Sequence, residues 1–189
     1  PNFHNMEFRL EQFREAVKIN AAGRLIEVEG MVSEIEKRAD KMCQCERLFR
    51  EGKLPKRINH CDTKVNNILF DVEGKVLCVI DLDTSMPGFV MSDFGDFMRT
   101  AGNKGKEDET DLNKVSFNME IFKSYSKGYL ESARSFLTAI EIQLLPFGAK
   151  LLTYMQITRF LADYLNGDTY YKISNTLHNL QRTKAQFKL

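Results

Sequence analysis

The sequence predicts a mostly α-helical α+β fold with one small β-hairpin at its centre. Two patterns lead there. Apolar residues recur at helical spacing over the first ~55 residues and again from Ser92 onward, and two short β-type runs stand together between them at 67–80. The scale agrees: 189 residues, 43% hydrophobic and 28% charged, describe a globular chain of one domain or lobe with enough apolar side chain for a real core.

The helical reading of the N-terminal part rests on Phe8, Phe13, Ala16 and Val17 after a polar start at Asn5. It continues in the stripe Leu25, Val28, Val32, Ile35, Ala39 and Met42. Gly30 interrupts that stripe, and it spans under three heptads, so it reads as core packing rather than coiled coil. Gly52 and Pro55 end the helical part. In the middle, 67–71 and 75–80 read as two strands joined by a turn at Gly74. Val76–Ile80 is apolar throughout, so this strand is expected to be buried on both faces, packed through Leu69, Leu77 and Val79 on helices from 114 onward. Helices are expected at 92–100, 114–133, 138–166 and 169–186, with a polar loop over Gly102–Asp111.

Charge and composition exclude several functions. Lys+Arg is 27 and Asp+Glu 26, a net +1, which argues against a strongly basic nucleic-acid binder and against an acidic tail protein. No apolar run reaches the ~20 residues of a membrane span, and no secretory signal is visible, so a cytoplasmic protein without membrane partners is expected. Cysteines at 43, 45, 61 and 78 have no metal-site spacing and read as reduced packing thiols.

The chemistry gathers around the hairpin. His60-Cys-Asp62-Thr-Lys64-Val-Asn-Asn67 precedes the first strand and Asp81 follows the second, so the hairpin should bring Asp62, Asn67 and Asp81 to one rim. Two carboxylates and an amide oxygen suit a hard cation such as Mg²⁺, which keeps few protein ligands and leaves the rest to phosphate and water. A carboxylate beside such a metal but not bound to it suits a general base toward a hydroxyl.

His-x-Asp-x-x-x-x-Asn, then strand, turn, strand and Asp, resembles the catalytic and metal loops of kinases, and the His-Cys-Asp form resembles the aminoglycoside phosphotransferase and choline kinase group. The longer strings Asn59–Asn67, Cys78–Thr84, Met86-Pro-Gly88 and Asp93-Phe-Gly-Asp96 are similar to the bacterial N-acetylhexosamine kinases within that group. So are Pro1-Asn-Phe-His4, Arg159–Asp168 and His178-Asn-Leu180; some members carry the label mucin-desulfating sulfatase. The resemblance covers nearly the whole chain and implies the C-terminal lobe of a protein kinase-like fold. It implies Asp62 as catalytic base, Lys64 on the transferred phosphoryl group, Asn67 and Asp81 as Mg²⁺ ligands, and His60 as a brace of the loop.

The literal triplet Asp93-Phe94-Gly95 is the metal motif of protein kinases, but here it follows a Pro-Gly turn at a helix start. Asp93 is therefore expected to cap amides near Ser92–Asp96 and, with His60, to brace the loop, away from the metal, which falls to Asp81, with Asp83 as a second candidate. Asn59, Arg159 and Tyr170 are the candidate substrate contacts; the alternative for Arg159 is an ion pair with Asp163 one helical turn on. His4 and His178 read as packing or capping residues.

The expected activity is ATP-dependent phosphorylation of a sugar hydroxyl, an N-acetylhexosamine by resemblance, with Mg²⁺ and a nucleotide and without nucleic acid. Another small-molecule acceptor (an aminoglycoside, choline or ethanolamine, an amino alcohol) and a non-catalytic kinase-like scaffold are the alternatives. No Gly-x-Gly-x-x-Gly occurs and the chain starts at Pro1, so residues 1–189 are expected to form the catalytic and substrate-binding lobe without its nucleotide lobe, and to be nearly inactive alone.

Overall fold

The structure, a computed structural model, describes residues 2–189; Pro1 of the N-terminal string lies outside them. Helix α1 (Met6–Ile19) starts at Asn5, whose side chain accepts from Phe8 N at 3.0 Å, and buries Met6, Leu10, Phe13 and Ala16. Helix α2 (Glu29–Met42) and the short α3 (Gln44–Arg50) follow. The stripe expected over 25–42 is buried at Val28, Ile35, Ala39 and Met42, but Leu25 and Val28 precede α2 around a 3-10 turn. Gly30 lies within α2 and does not break it.

The centre holds four short strands: β1 (Arg57–Asn59), β2 (Ile68–Phe70), β3 (Val76–Val79) and β4 (Met86–Gly88). The expected hairpin is β2–β3, in register Ile68 with Val79. The pairing of β1 with β4, Arg57 opposite Gly88 and Asn59 opposite Met86, was not anticipated. Three-residue strands carry too little alternation to register as a pattern. The hairpin also departs from expectation in its surroundings. All four residues of β3 are exposed, Leu77 at 62% and Val79 at 51%, and Leu69 is exposed at 43%, so the hairpin is not packed on the later helices. An unbroken apolar strand normally signals burial on both faces; here the same pattern makes an uncovered apolar face.

Helix α4 (Val90–Ala101), α5 (Met119–Ala133), α6 (Ala139–Leu165) and α7 (His178–Lys188) complete the chain. The last begins nine residues later than expected from 169, because 166–177 is turn and loop. Helix α6 is the axis: α4, α1, α2 and α7 all pack on it. Its start is fixed twice. Thr138 and Glu141 form a capping box, and the buried Glu141 carboxylate receives Arg57 of β1 through Nε at 2.6 Å and Nη2 at 2.8 Å. Among the described residues no helix is long and apolar enough to cross a membrane.

Helices α4 and α6 meet backbone to backbone. A Cβ on Gly95 would stand 2.1 Å from Gly148 O, and one on Gly148 2.1 Å from Met91 O. Neither obstacle is a flexible side-chain end, so the crossing cannot adjust cheaply. Gly95→Ala is expected to destabilise the fold by about 2–3 kcal/mol, lowering the thermal midpoint by roughly 5–10 °C in a melting experiment. An unshifted midpoint would show that the helices separate at little cost.

Candidate active site

The loop 60–67 is built onto α4. Asp93, in the first turn of that helix, accepts from His60 N through Oδ2 at 2.7 Å and from Cys61 N through Oδ1 at 2.9 Å. Its backbone carbonyl accepts from Thr63 Oγ1 at 2.7 Å. The amides it holds are thus those of the preceding loop, a correction to the expectation that it caps Ser92–Asp96. The chain can offer both amides to one carboxylate because Cys61 takes a left-handed conformation, φ 67°. Burial pushes the Asp93 carboxyl up, against the opposing pull of the Cys61 and His60 amides.

His60 ties the loop to the end of the hairpin. Its Nδ1 accepts from Asp62 N at 3.2 Å, and its Nε2 donates to Ile80 O at 2.9 Å, the two partners together setting the tautomer. Thr84 Oγ1 adds a bond to His60 O at 2.7 Å.

Asp62 stands half-buried at the rim. Its Oδ2 receives Lys64 Nζ at 2.6 Å and Asn67 Nδ2 at 3.1 Å, and Asn67 Nδ2 also bonds Asp62 O at 2.8 Å. Asp62 Oδ1 has no hydrogen-bond partner among the described residues. The hydrogen bond to Asp62 raises the Lys64 pKa above its ordinary value against burial, and the charges of Asp62, Asp81 and Asp96 add to it.

Asn67 is buried, and with its amide nitrogen turned to Asp62 its Oδ1 is the atom left for a ligand. Ile80 N donates to Asn67 O at 2.9 Å, closing the open end of the hairpin and setting Asp81 beside Asn67 along the rim. Asp81 is exposed and left-handed, φ 66° and ψ 51°, where the chain turns out of β3. One amide oxygen and one carboxylate suit a hard divalent ion as a partial shell, and no cluster of three His, Cys, Asp or Glu completes a metal cage among the described residues. The donor set therefore fits Mg²⁺ shared with phosphate oxygens better than a metal held by protein alone. Asp83 is exposed in the following 3-10 turn and makes no bond to these residues.

A comparison with family models matches residues 1–129 to the phosphotransferase enzyme family (APH). The chain belongs to that family. The match takes in α1, the loop 60–67, the hairpin and α4, so the site described above lies wholly inside it.

The phosphotransferase has a second concave feature, built from both ends of its sequence. Arg159 and Tyr170 line a cavity of about 280 Å³ with Arg9, Gln12, Asp163 and Tyr171. Arg159 bonds Gln156 Oε1 at 2.9 Å rather than pairing with Asp163. Asp163 instead accepts from the amides of Thr169, Tyr170 and Tyr171 and from Asn179 Nδ2, which shapes the turn that presents the two tyrosines. Asn59 does not reach this wall. It is 4% exposed and donates to Phe89 O at 2.6 Å, packing β1 against the start of α4, a correction to its reading as a substrate contact.

His4 was read as packing, yet it joins the two walls: burial, then the charges of Arg159, Arg9 and Arg99, push its pKa down to about 3, while Asp62 pulls the other way. Nothing in the local sequence marks it, because its neighbours come from α6 and the 60–67 loop. Since 3 lies below the ordinary 6.5, the unfolded chain takes up this proton first. Stability from a neutral His4 is full above about pH 6.5 and is lost as pH falls toward 3. Relative to His4→Asn, the unsubstituted chain should lose on the order of 1–2 kcal/mol between pH 6.5 and 5 in denaturant titrations. A difference that stays constant across that range would show that His4 is not buried neutral.

Proposed function

We propose that this lobe catalyses ATP-dependent phosphorylation of a sugar hydroxyl, with an N-acetylhexosamine as acceptor. The observation that carries the reading is the state of Asp62. One carboxylate oxygen is fixed by Lys64 and Asn67 while the other stands open on the rim that Asn67 and Asp81 share.

In this reading Asp62 Oδ1 accepts a hydrogen bond from the acceptor hydroxyl and orients its oxygen in line with the γ-phosphorus of ATP. As the new O–P bond forms and the bond to the ADP oxygen breaks, the hydroxyl proton passes to Oδ1. Lys64 lies next to the transferred group and offsets charge on its oxygens. Asn67 Oδ1 and the Asp81 carboxylate are the residues that would hold Mg²⁺. When bound, the ion neutralises phosphate charge.

Two further features support the reading. The uncovered apolar face of the hairpin (Leu69, Leu77, Val79) and the absence of a glycine-rich phosphate loop fit a nucleotide lobe seated on that face. The four free cysteines fit a reducing, cytoplasmic setting. On the acceptor side the cavity presents Arg9 and Arg159, and its one carboxylate, Asp163, is occupied by amides. Such a wall is unsuited to polycationic aminoglycosides or to choline, and suited to a sugar.

The test joins this lobe to its nucleotide lobe and couples ADP release to a panel of sugars and amines. Asp62→Asn should lower turnover by about 10²–10⁴ while nucleotide affinity stays within twofold. Unchanged turnover would remove Asp62 from the reaction, and activity confined to choline or an aminoglycoside would overturn the sugar assignment.

A further inference from the structure

The cavity between α1 and the end of α6 holds two guanidinium groups that lack counter-ions. Arg9 donates to Phe3 O through Nε at 3.0 Å and Nη2 at 2.8 Å, and to Gln12 Oε1 through Nη1 at 2.8 Å. Arg159 donates to Gln156 Oε1. Both partners are neutral, and neither arginine reaches a carboxylate within ion-pair distance among the described residues. The other charged arginine pairs of the chain, such as Arg24 with Asp168 and Arg57 with Glu141, show that this sequence readily supplies a partner where one is needed.

The two groups also approach the same aromatic ring. The Cζ of Arg9 is 5.5 Å and that of Arg159 5.3 Å from the centre of the same Phe3 ring. Arg159 lies 5.9 Å from the Tyr170 ring and 5.5 Å from that of Tyr171. Burial, and then the charge of Arg159, hold the Arg9 guanidinium below its usual pKa, as expected of like charges sharing a poorly hydrated wall. Tyr171 lines the same cavity, with its hydroxyl buried out of reach of solvent. Asp163, in the floor, is committed to three amides and Asn179. A wall of guanidinium donors whose partners are all neutral, set among aromatic faces, calls for a ligand that brings acceptor oxygens and negative charge on an otherwise flat, partly apolar body.

We propose that Arg9 and Arg159 bind an anionic substituent, a carboxylate or a phosphate ester, on the acceptor sugar, with Tyr170 against the sugar face. This rests on the reading of the cleft as a sugar site and adds a charge requirement to it. The two arginines come from opposite ends of the chain, so the subsite forms only in the folded lobe.

Calorimetric titration of the chain without nucleotide tests the proposal, because binding needs no phosphoryl transfer. The probes are N-acetylglucosamine, N-acetylglucosamine 6-phosphate, glucuronate and inorganic phosphate at fixed ionic strength. At least one of the two acidic sugars should bind tenfold or more tighter than N-acetylglucosamine, and the advantage should shrink as salt is raised. Arg9→Gln should reduce that advantage to less than threefold, and Arg9→Lys should restore part of it. Arg159→Gln provides a second variant, and circular dichroism confirms that each is folded. Equal affinity for charged and neutral sugars, or an advantage that survives in both folded glutamine variants, would overturn the proposal. Inorganic phosphate binding as tightly as the sugar phosphate would overturn its sugar component. These failures leave the phosphotransferase reading standing, whereas sugar binding without turnover in the protein that carries its nucleotide lobe would fail that reading alone.

Discussion

The grip of one half-buried carboxylate on two consecutive amides is the contact on which the site depends. Asp93 belongs to α4, and α4 is locked to α6 by a glycine crossing with no room for a methyl group. The His60–Cys61 peptide is therefore referenced to the centre of the helical core rather than left as a surface loop. Everything downstream inherits that position: His60 reaches Ile80, Asp62 is oriented by Lys64 and Asn67, and Asn67 closes on the hairpin. A base that must meet a hydroxyl within a few tenths of an ångström requires this kind of support, and short strands alone would not provide it.

The two walls of the cleft have opposite electrical character although the whole chain is nearly neutral. The rim at Asp62 and Asp81 is acidic, and Lys64 answers it. Arg9 and Arg159 line the neighbouring cavity, without acidic partners among the described residues, while the buried Arg99 pairs with Asp96 and Glu107. His4 lies between and feels both. An acidic rim invites a cation with its phosphates, and a basic wall invites the oxygen-rich face of an acceptor. Net charge alone conceals this separation.

Much of the helical part and the hairpin could be read from the residues because each rests on local periodicity: the α1 and α2 stripes, the start of α6 at Thr138, the turn at Gly74. The closure of the hairpin at Asn67 and Ile80 was likewise readable, since a hairpin must return its ends to one place. What escaped depends on partners distant in sequence. Asn59 shares the motif string yet faces Phe89, thirty residues on, and Asp93 caps a loop rather than its own helix. The strand at 76–79 was misplaced for a different reason. An apolar run states that a surface wants covering and does not say whether this lobe covers it. The charged surroundings of His4 and Arg9 were not legible locally, because Arg159, which acts on both, lies on α6.

The left-handed backbone at Asp81 has a consequence for how this site can change over generations. Glycine is the residue most at ease at φ 66°, so replacing Asp81 by glycine would relieve strain and favour the folded chain while removing the carboxylate from the rim. With Asp81 in the metal-holding role proposed above, selection for robustness and selection for chemistry pull this single position in opposite directions. A lineage freed from the need for phosphoryl transfer would be expected to drift there early, gaining stability as it lost the reaction, and the residue at this turn would then record whether the lobe is still at work.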